Sequence, residues 1–149
     1  MSRSPASQHR LYFLLQRTAH ALKVDADTRL KSASGLTTAQ VAALNLIAER
    51  APVAQNVIAR ELNQKESAIT AMVKRLEAQG LLTKRRASHD DRAWALEPSP
   101  AGLAALNAAK PAFNEINTMI DENTSRTEAR QMARVLTGIL GAIEQDPRR

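Results

Sequence analysis

Apolar residues recur at helical spacing over most of this chain, and one short stretch breaks into strand-like alternation. Leu11, Leu14, Leu15, Thr18, Ala19 and Leu22 form one stripe, predicting a long first helix over about 9–30, behind a small, polar, frayed start at 1–8. Ser34 and Gly35 end it. Thr37 and Gln40 make a capping box for a second helix carrying Val41, Leu44, Leu46 and Ile47, which Pro52 closes. A short third helix over 54–62 offers Val57, Ile58 and Leu62. Asn63 follows as a turn residue and N-cap, with Glu66 three positions on, for a fourth helix that buries Ile69, Val73 and Leu76, with Met72 at its flank. Gly80 suits a left-handed C-cap. A hairpin over 81–97 comes next: a strand at 81–86, a tip at 87–91, and a return strand with Arg92, Trp94 and Leu96 on one face. Pro98, Ser99 and Pro100 stop it and open a fifth helix, with Ser99 as N-cap and Pro100 at the first helical position.

The fifth helix carries Leu103, Leu106, Phe113, Ile116 and Ile120. The sixth, opened by a Ser125/Glu128 capping box, carries Met132, Val135, Leu136, Ile139, Leu140 and Ile143, with Gly138 and Gly141 small enough for close helix approach. The expected fold is mainly α with a small β-hairpin wing, a winged helix-turn-helix flanked by N- and C-terminal helices. The stripes of the first, fifth and sixth helices exceed what so small a core can cover, and apolar faces of that length usually meet a partner subunit.

The buried stripe of the fourth helix fixes what its other side presents. At about 100° per residue, Ser67, Ala71, Lys74 and Ala78 point most directly outward, with Gln64, Ala68, Thr70 and Arg75 at the margins. A helix with such a small, polar and cationic face fits the major groove of B-DNA, and a basic hairpin beside it reaches phosphates or the minor groove. Gln64, Ser67 and Thr70 are candidates for base-edge or phosphate contacts, and Lys65 and Ala68 belong to the same surface. Lys74 and Arg75 suit phosphates. In the hairpin, Lys84 and Arg86 share one side and Arg85 the other, and Arg86, nearer the tip, is the favoured contact. The competing reading of all these residues is a solvated surface, which for His89 at the tip is the preferred one.

The 149 residues, 44% hydrophobic, suffice for one compact domain. A net charge of +6 and a pI near 10.3 favour a polyanionic partner. The absence of cysteine excludes disulfides, thiolate metal sites and cysteine redox sensing. With neither a signal-like start nor a membrane-spanning apolar run, the expectation is a soluble, cytoplasmic protein that meets no membrane.

The run Gly80-Leu81-Leu82-Thr83-Lys84-Arg85-Arg86, then Asp90-Asp91-Arg92, then Ser99-Pro100-Ala101-Gly102 resembles the wing signature of the MarR family of bacterial transcription regulators. Its common form is Gly-Leu-hydrophobic-x-Arg, Asp-x-Arg at the wing tip, and Leu-Thr-x-x-Gly opening the next helix. The likeness extends over nearly the whole chain, since the helical order matches too. Pro98-Ser99 stands where Leu-Thr is usual, and Ala71 where many members have a larger polar or basic residue, which bears on base preference. The resemblance implies one MarR-type domain over 1–149: dimerisation helices at 9–30 and 100–145, and a winged helix-turn-helix at 37–97. It implies a homodimer on a pseudo-palindromic double-stranded DNA operator, with half-sites about 34 Å apart. Arg92 is then the minor-groove residue of the tip, and Asp90 a structural residue orienting it or a neighbouring arginine.

No catalytic pattern competes. His9, His20 and His89 form no HxxH or HExxH pattern, and there is no phosphate loop or nucleophile motif. His89, Asp90 and Asp91 read as a turn, so neither metal nor cofactor is expected. Members of the resembled family often bind small phenolic or other lipophilic effectors in a crevice. Tyr12, Phe13, Arg17 and His20 are the candidate lining residues, with Trp94 and Phe113 if they face it, against plain core or dimer packing and an aromatic content of only 3%. The function expected is a DNA-binding regulator, a repressor in preference to an activator. The alternative from another class is a winged-helix module that binds a regulatory protein; Lys74, Arg75, Arg86 and Arg92 favour DNA.

Overall fold

A computed structural model describes the backbone of residues 5–87 and 90–148, and the side chains of 10–86 and 94–148. Two compact units result, Met1–Phe113 and Asn114–Arg149. In the first, the order is α1 (Pro5–Ser34), α2 (Thr38–Arg50), β1 (Val53–Ala54), α3 (Gln55–Glu61), α4 (Glu66–Ala78), β2 (Leu82–Ala87), β3 (Asp90–Pro98) and the start of α5 (Pro100–Glu122). The second holds the remainder of α5 and α6 (Arg126–Glu144). The protein is thus mainly helical, with one small antiparallel sheet of order β1-β3-β2. No helix among the described residues is long and apolar enough to cross a membrane.

Local signals set most boundaries. At α2, Thr37 Oγ1 accepts from the Gln40 amide while the Gln40 side chain accepts from the Thr37 amide. Ser125 and Glu128 repeat the arrangement at α6. α1 runs past the expected end at Leu30 to Ser34, because the Ser34 hydroxyl donates to the Leu30 carbonyl and only Gly35, at φ +74°, turns the chain left-handed. One reading needs correction. Asn63 is not the N-cap of α4; Lys65 occupies that position, without a side-chain cap. Asn63 instead adopts φ +50° as the left-handed residue closing α3, where its amide donates to the Arg60 carbonyl and that of Gln64 to the Ala59 carbonyl. The two-residue strand β1 also escapes sequence reading, since only its pairing of Val53 with Leu96 and Ala54 with Ala95 defines it.

The core of the first unit gathers Leu30, Leu36, Leu44, Ile47, Ile58, Ile69, Val73, Leu76, Leu82 and Leu96, all fully or almost fully buried. It therefore sits among α2, α3, α4 and the base of the hairpin. Only the C-terminal end of α1 joins it, through Ala26 and Leu30, whereas Leu11, Leu14 and Leu15, which the stripe marked as apolar, face solvent. Asp27 ties this end of α1 to the head of α2: one carboxylate oxygen accepts from the Thr38 amide at 2.7 Å and the Thr38 hydroxyl at 2.5 Å, and the other from Lys23 at 2.9 Å. In α6 no residue is buried, and Met132, Val135, Leu136, Ile139, Leu140 and Ile143 are all exposed.

Candidate nucleic-acid interface

The buried residues of α4, Ile69, Val73 and Leu76, lie at spacings of four and three, and this anchors one side of the helix in the core. The opposite side is thereby held outward. Gln64, Lys65, Ser67, Ala68, Ala71, Lys74 and Arg75 are all exposed, as the periodicity requires. Thr70 is placed differently from its neighbours. It is half-buried, its hydroxyl donates to the Glu66 carbonyl at 2.8 Å, and it accepts from Gln55 Nε2 at 2.6 Å. The Thr70 hydroxyl thus braces α4 against the first turn of α3. Gln55 was not foreseen, because its partner lies fifteen residues away on another helix.

At its far end α4 closes with Gly80 at φ +72°, the Gly80 amide donating to the Glu77 carbonyl and that of Leu81 to the Leu76 carbonyl. This sharp stop delivers the chain directly into β2. Ser99 then fastens the base of the hairpin: its amide donates to the Leu81 carbonyl at 3.0 Å, its hydroxyl donates to the Gly80 carbonyl at 2.5 Å and accepts from the Gly102 amide at 3.0 Å. Ser99 is therefore the N-cap of α5, with Pro100 at the first helical position, as expected.

The hairpin sorts its three consecutive cations. β2 and β3 pair with Lys84 opposite Leu96, Arg85 opposite Ala95 and Arg86 opposite Trp94. Lys84 forms an ion pair with Glu77 of α4 at 3.4 Å, and Arg85 pairs with Glu97 on the other face. Arg86 pairs with no carboxylate among the described residues; its guanidinium lies 4.9 Å from the centre of the Trp94 ring. Among the described residues, two of the three charges are thus locally compensated, and Arg86 is left as the cation the strand presents. Glu77 and Glu97 were not singled out in the sequence, and their role needed the hairpin register. Asp90 and Arg92 begin β3, but their side chains lie outside the described residues, as does all of His89.

On α1 the candidate crevice residues Tyr12, Phe13, Arg17 and His20 are all exposed, with the Tyr12 and Phe13 rings edge-to-face at 5.4 Å. A shallow, open groove of about 600 Å³ is lined by Arg10, Leu11, Phe13, Leu14 and Arg17, so it joins Phe13 and Arg17 but takes neither Tyr12 nor His20 into its wall. Trp94 belongs to the hairpin, and Phe113 packs half-buried against the core. Among the described residues no cluster of His, Cys, Asp or Glu could hold a metal ion.

An outward-facing helix braced by a preceding helix, followed by a three-stranded sheet with a cationic hairpin, defines a winged helix-turn-helix protein. Residues 34–93, which contain nearly all of it, match the model of the MarR family. Solved structures share the fold over most of their length. The S. aureus MepR–DNA complex superposes with a TM-score of 0.81 at 22% identity, covering 88% of this chain and 96% of the other. PcaV from Streptomyces coelicolor, in complex with its natural ligand, gives 0.80 at 21% identity, covering 96% and 99%. A probable transcriptional regulator from Pseudomonas aeruginosa gives 0.77 at 27% identity, covering 87% and 96%. No curated protein matches.

Proposed function

We propose that this protein is a homodimeric, sequence-specific DNA-binding regulator that acts in the cytoplasm as a repressor, by occupying a pseudo-palindromic operator. The observation that carries this reading is the outer face of α4: Gln64, Ser67, Lys74 and Arg75 exposed along one side, beside a hairpin whose Arg86 has no carboxylate partner among the described residues. Gln64 and Ser67 read base edges, Lys65, Lys74, Arg75 and Arg86 bind phosphates, Ala68 permits close approach to the groove, and Arg92 enters the minor groove from the tip. Thr70 acts chiefly as the brace.

A second copy of the chain covers the exposed apolar stripes of α1 and α6, making one functional module of the whole sequence. The dimer matters to function because two recognition helices about 34 Å apart read consecutive major grooves on one side of the duplex. A lipophilic or phenolic anion bound beside Phe13 and Arg17 would release DNA only to the extent that it prefers a dimer with another helix spacing. The test is selection of bound sequences from a random duplex pool. An inverted repeat with half-sites about one helical turn apart is expected; the absence of any enriched motif would reject the proposal and favour a protein partner for this surface.

A further inference from the structure

Trp94 is the single tryptophan of the chain, and it stands 48% exposed on the hairpin. An indole half in water can offer a ring face to a nearby cation. Its neighbour explains the placement. Arg86 lies directly opposite on β2, and side chains of directly opposed residues project on the same face. That face also carries Lys84, whose ion pair with Glu77 turns it toward α4. Arg86 is thus on the recognition-helix side of the wing, one full strand repeat closer to the tip.

We infer that Trp94 is a positioning residue for DNA binding: its ring holds the Arg86 guanidinium in the orientation that donates to a backbone phosphate. The inference rests on the DNA-reading function proposed above. A guanidinium stacked on an indole loses only one face of its plane, and the N–H groups point outward in that plane, so the edge stays free for a phosphate oxygen. The attraction to the ring also limits the rotamers of a long side chain that would otherwise be ordered only on binding. A carboxylate partner would hold the arginine equally well but would cancel the charge and occupy the N–H edge. Lys84 and Arg85, paired with Glu77 and Glu97, are in that second condition, so among the described residues the strand holds one cation in a form suited to an anion and two in forms suited to the fold.

The test needs no knowledge of the operator, because a phosphate contact is made with any sequence. Wild-type protein, Trp94→Ala, Trp94→Leu, Trp94→Phe, Arg86→Ala and the Trp94→Ala/Arg86→Ala double variant are titrated against a labelled mixed-sequence DNA duplex at several salt concentrations. Arg86→Ala is expected to flatten the dependence of log affinity on log salt by about one unit. Trp94→Ala is expected to weaken binding roughly two- to five-fold, the range of a partly exposed cation–π contact, while keeping most of the slope because the charge remains. Trp94→Leu, which fills the position without a π face, should show the same loss, and Trp94→Phe should recover most of it. In the Arg86→Ala background, removal of Trp94 should cost nothing further. An equal loss in both backgrounds, or a Trp94→Leu variant as tight as wild type, overturns the inference and leaves the DNA-reading function standing. Wild-type protein that fails to bind the duplex at low salt overturns both.

Discussion

Gly102 is the position where a single methyl group should do the most damage for its size. It is buried at the third position of α5, its amide donates to Ser99 Oγ at 3.0 Å, and a Cβ built on it would run into the carbonyl group of Leu81, well inside van der Waals contact. The obstacle is backbone, itself fixed because the Leu81 carbonyl accepts from the Ser99 amide at 3.0 Å. Gly102→Ala must therefore push the first turn of α5 off the base of the wing. Overpacking of this kind costs about 1–3 kcal/mol, and the capping bond and the Ser99–Leu81 bond it strains are worth about 1 kcal/mol each. Against this stands the helix preference for alanine over glycine, about 1 kcal/mol. The net expectation is a destabilisation of about 2–4 kcal/mol, or a fall in Tm of roughly 5–15 °C for a domain of this size. Thermal unfolding at fixed protein concentration measures it, since any self-association would shift the midpoint. A variant as stable as wild type, or more stable, would refute the close approach of α5 to the hairpin, since propensity alone would then decide the outcome.

Three further outcomes follow from particular contacts. The Thr38 hydroxyl, then Lys23 and the Thr38 amide, lower the Asp27 pKa to about 2, below its unfolded value, so the clamp contributes fully above roughly pH 4 and is lost as pH falls toward 2. Asp27→Asn should cost about 1–2 kcal/mol at neutral pH by urea unfolding, and the gap from wild type should close across that acid range; a gap unchanged by pH would show that the charge is immaterial. Ile139→Glu places a charge in the apolar stripe of α6 and should give monomers or insoluble protein by sedimentation, whereas a stable dimer would move the interface elsewhere. Ser67→Ala should alter discrimination between bases by about 1–3 kcal/mol in competition binding while sparing nonspecific affinity; an equal loss on all sequences would make Ser67 a phosphate contact.

What could be read in the sequence and what could not divides along the range of the interactions. The capping boxes at Thr37/Gln40 and Ser125/Glu128, and the Ser99-Pro100 helix start, each lie within a few residues and formed as the pattern required. The outward face of α4 was equally legible, because burying Ile69, Val73 and Leu76 leaves a helix no freedom about what it shows on its other side. Asn63 misled because the residue types that cap a helix start also tolerate the left-handed conformation that ends one; only the bonds from its amide and that of Gln64 decide between them. Strand β1 has two residues and no periodicity to detect. The stripe of α1 marked the right residues as apolar but could not say that Leu11, Leu14 and Leu15 would lie outside the core of their own unit. The sorting of Lys84, Arg85 and Arg86 depended on Glu77, Glu97 and Trp94, which come to them only through the packing of α4 and the register of the hairpin.

Whether this protein reads DNA as a dimer is tested by a stoichiometric titration of the selected duplex and a scrambled duplex of equal length, each at two salt concentrations. Two protomers per selected duplex are expected, with tighter binding of that duplex than of the scrambled one at both salts and a steep loss of affinity for both as salt rises. One protomer per duplex, or equal affinity for the two sequences, would contradict the proposal.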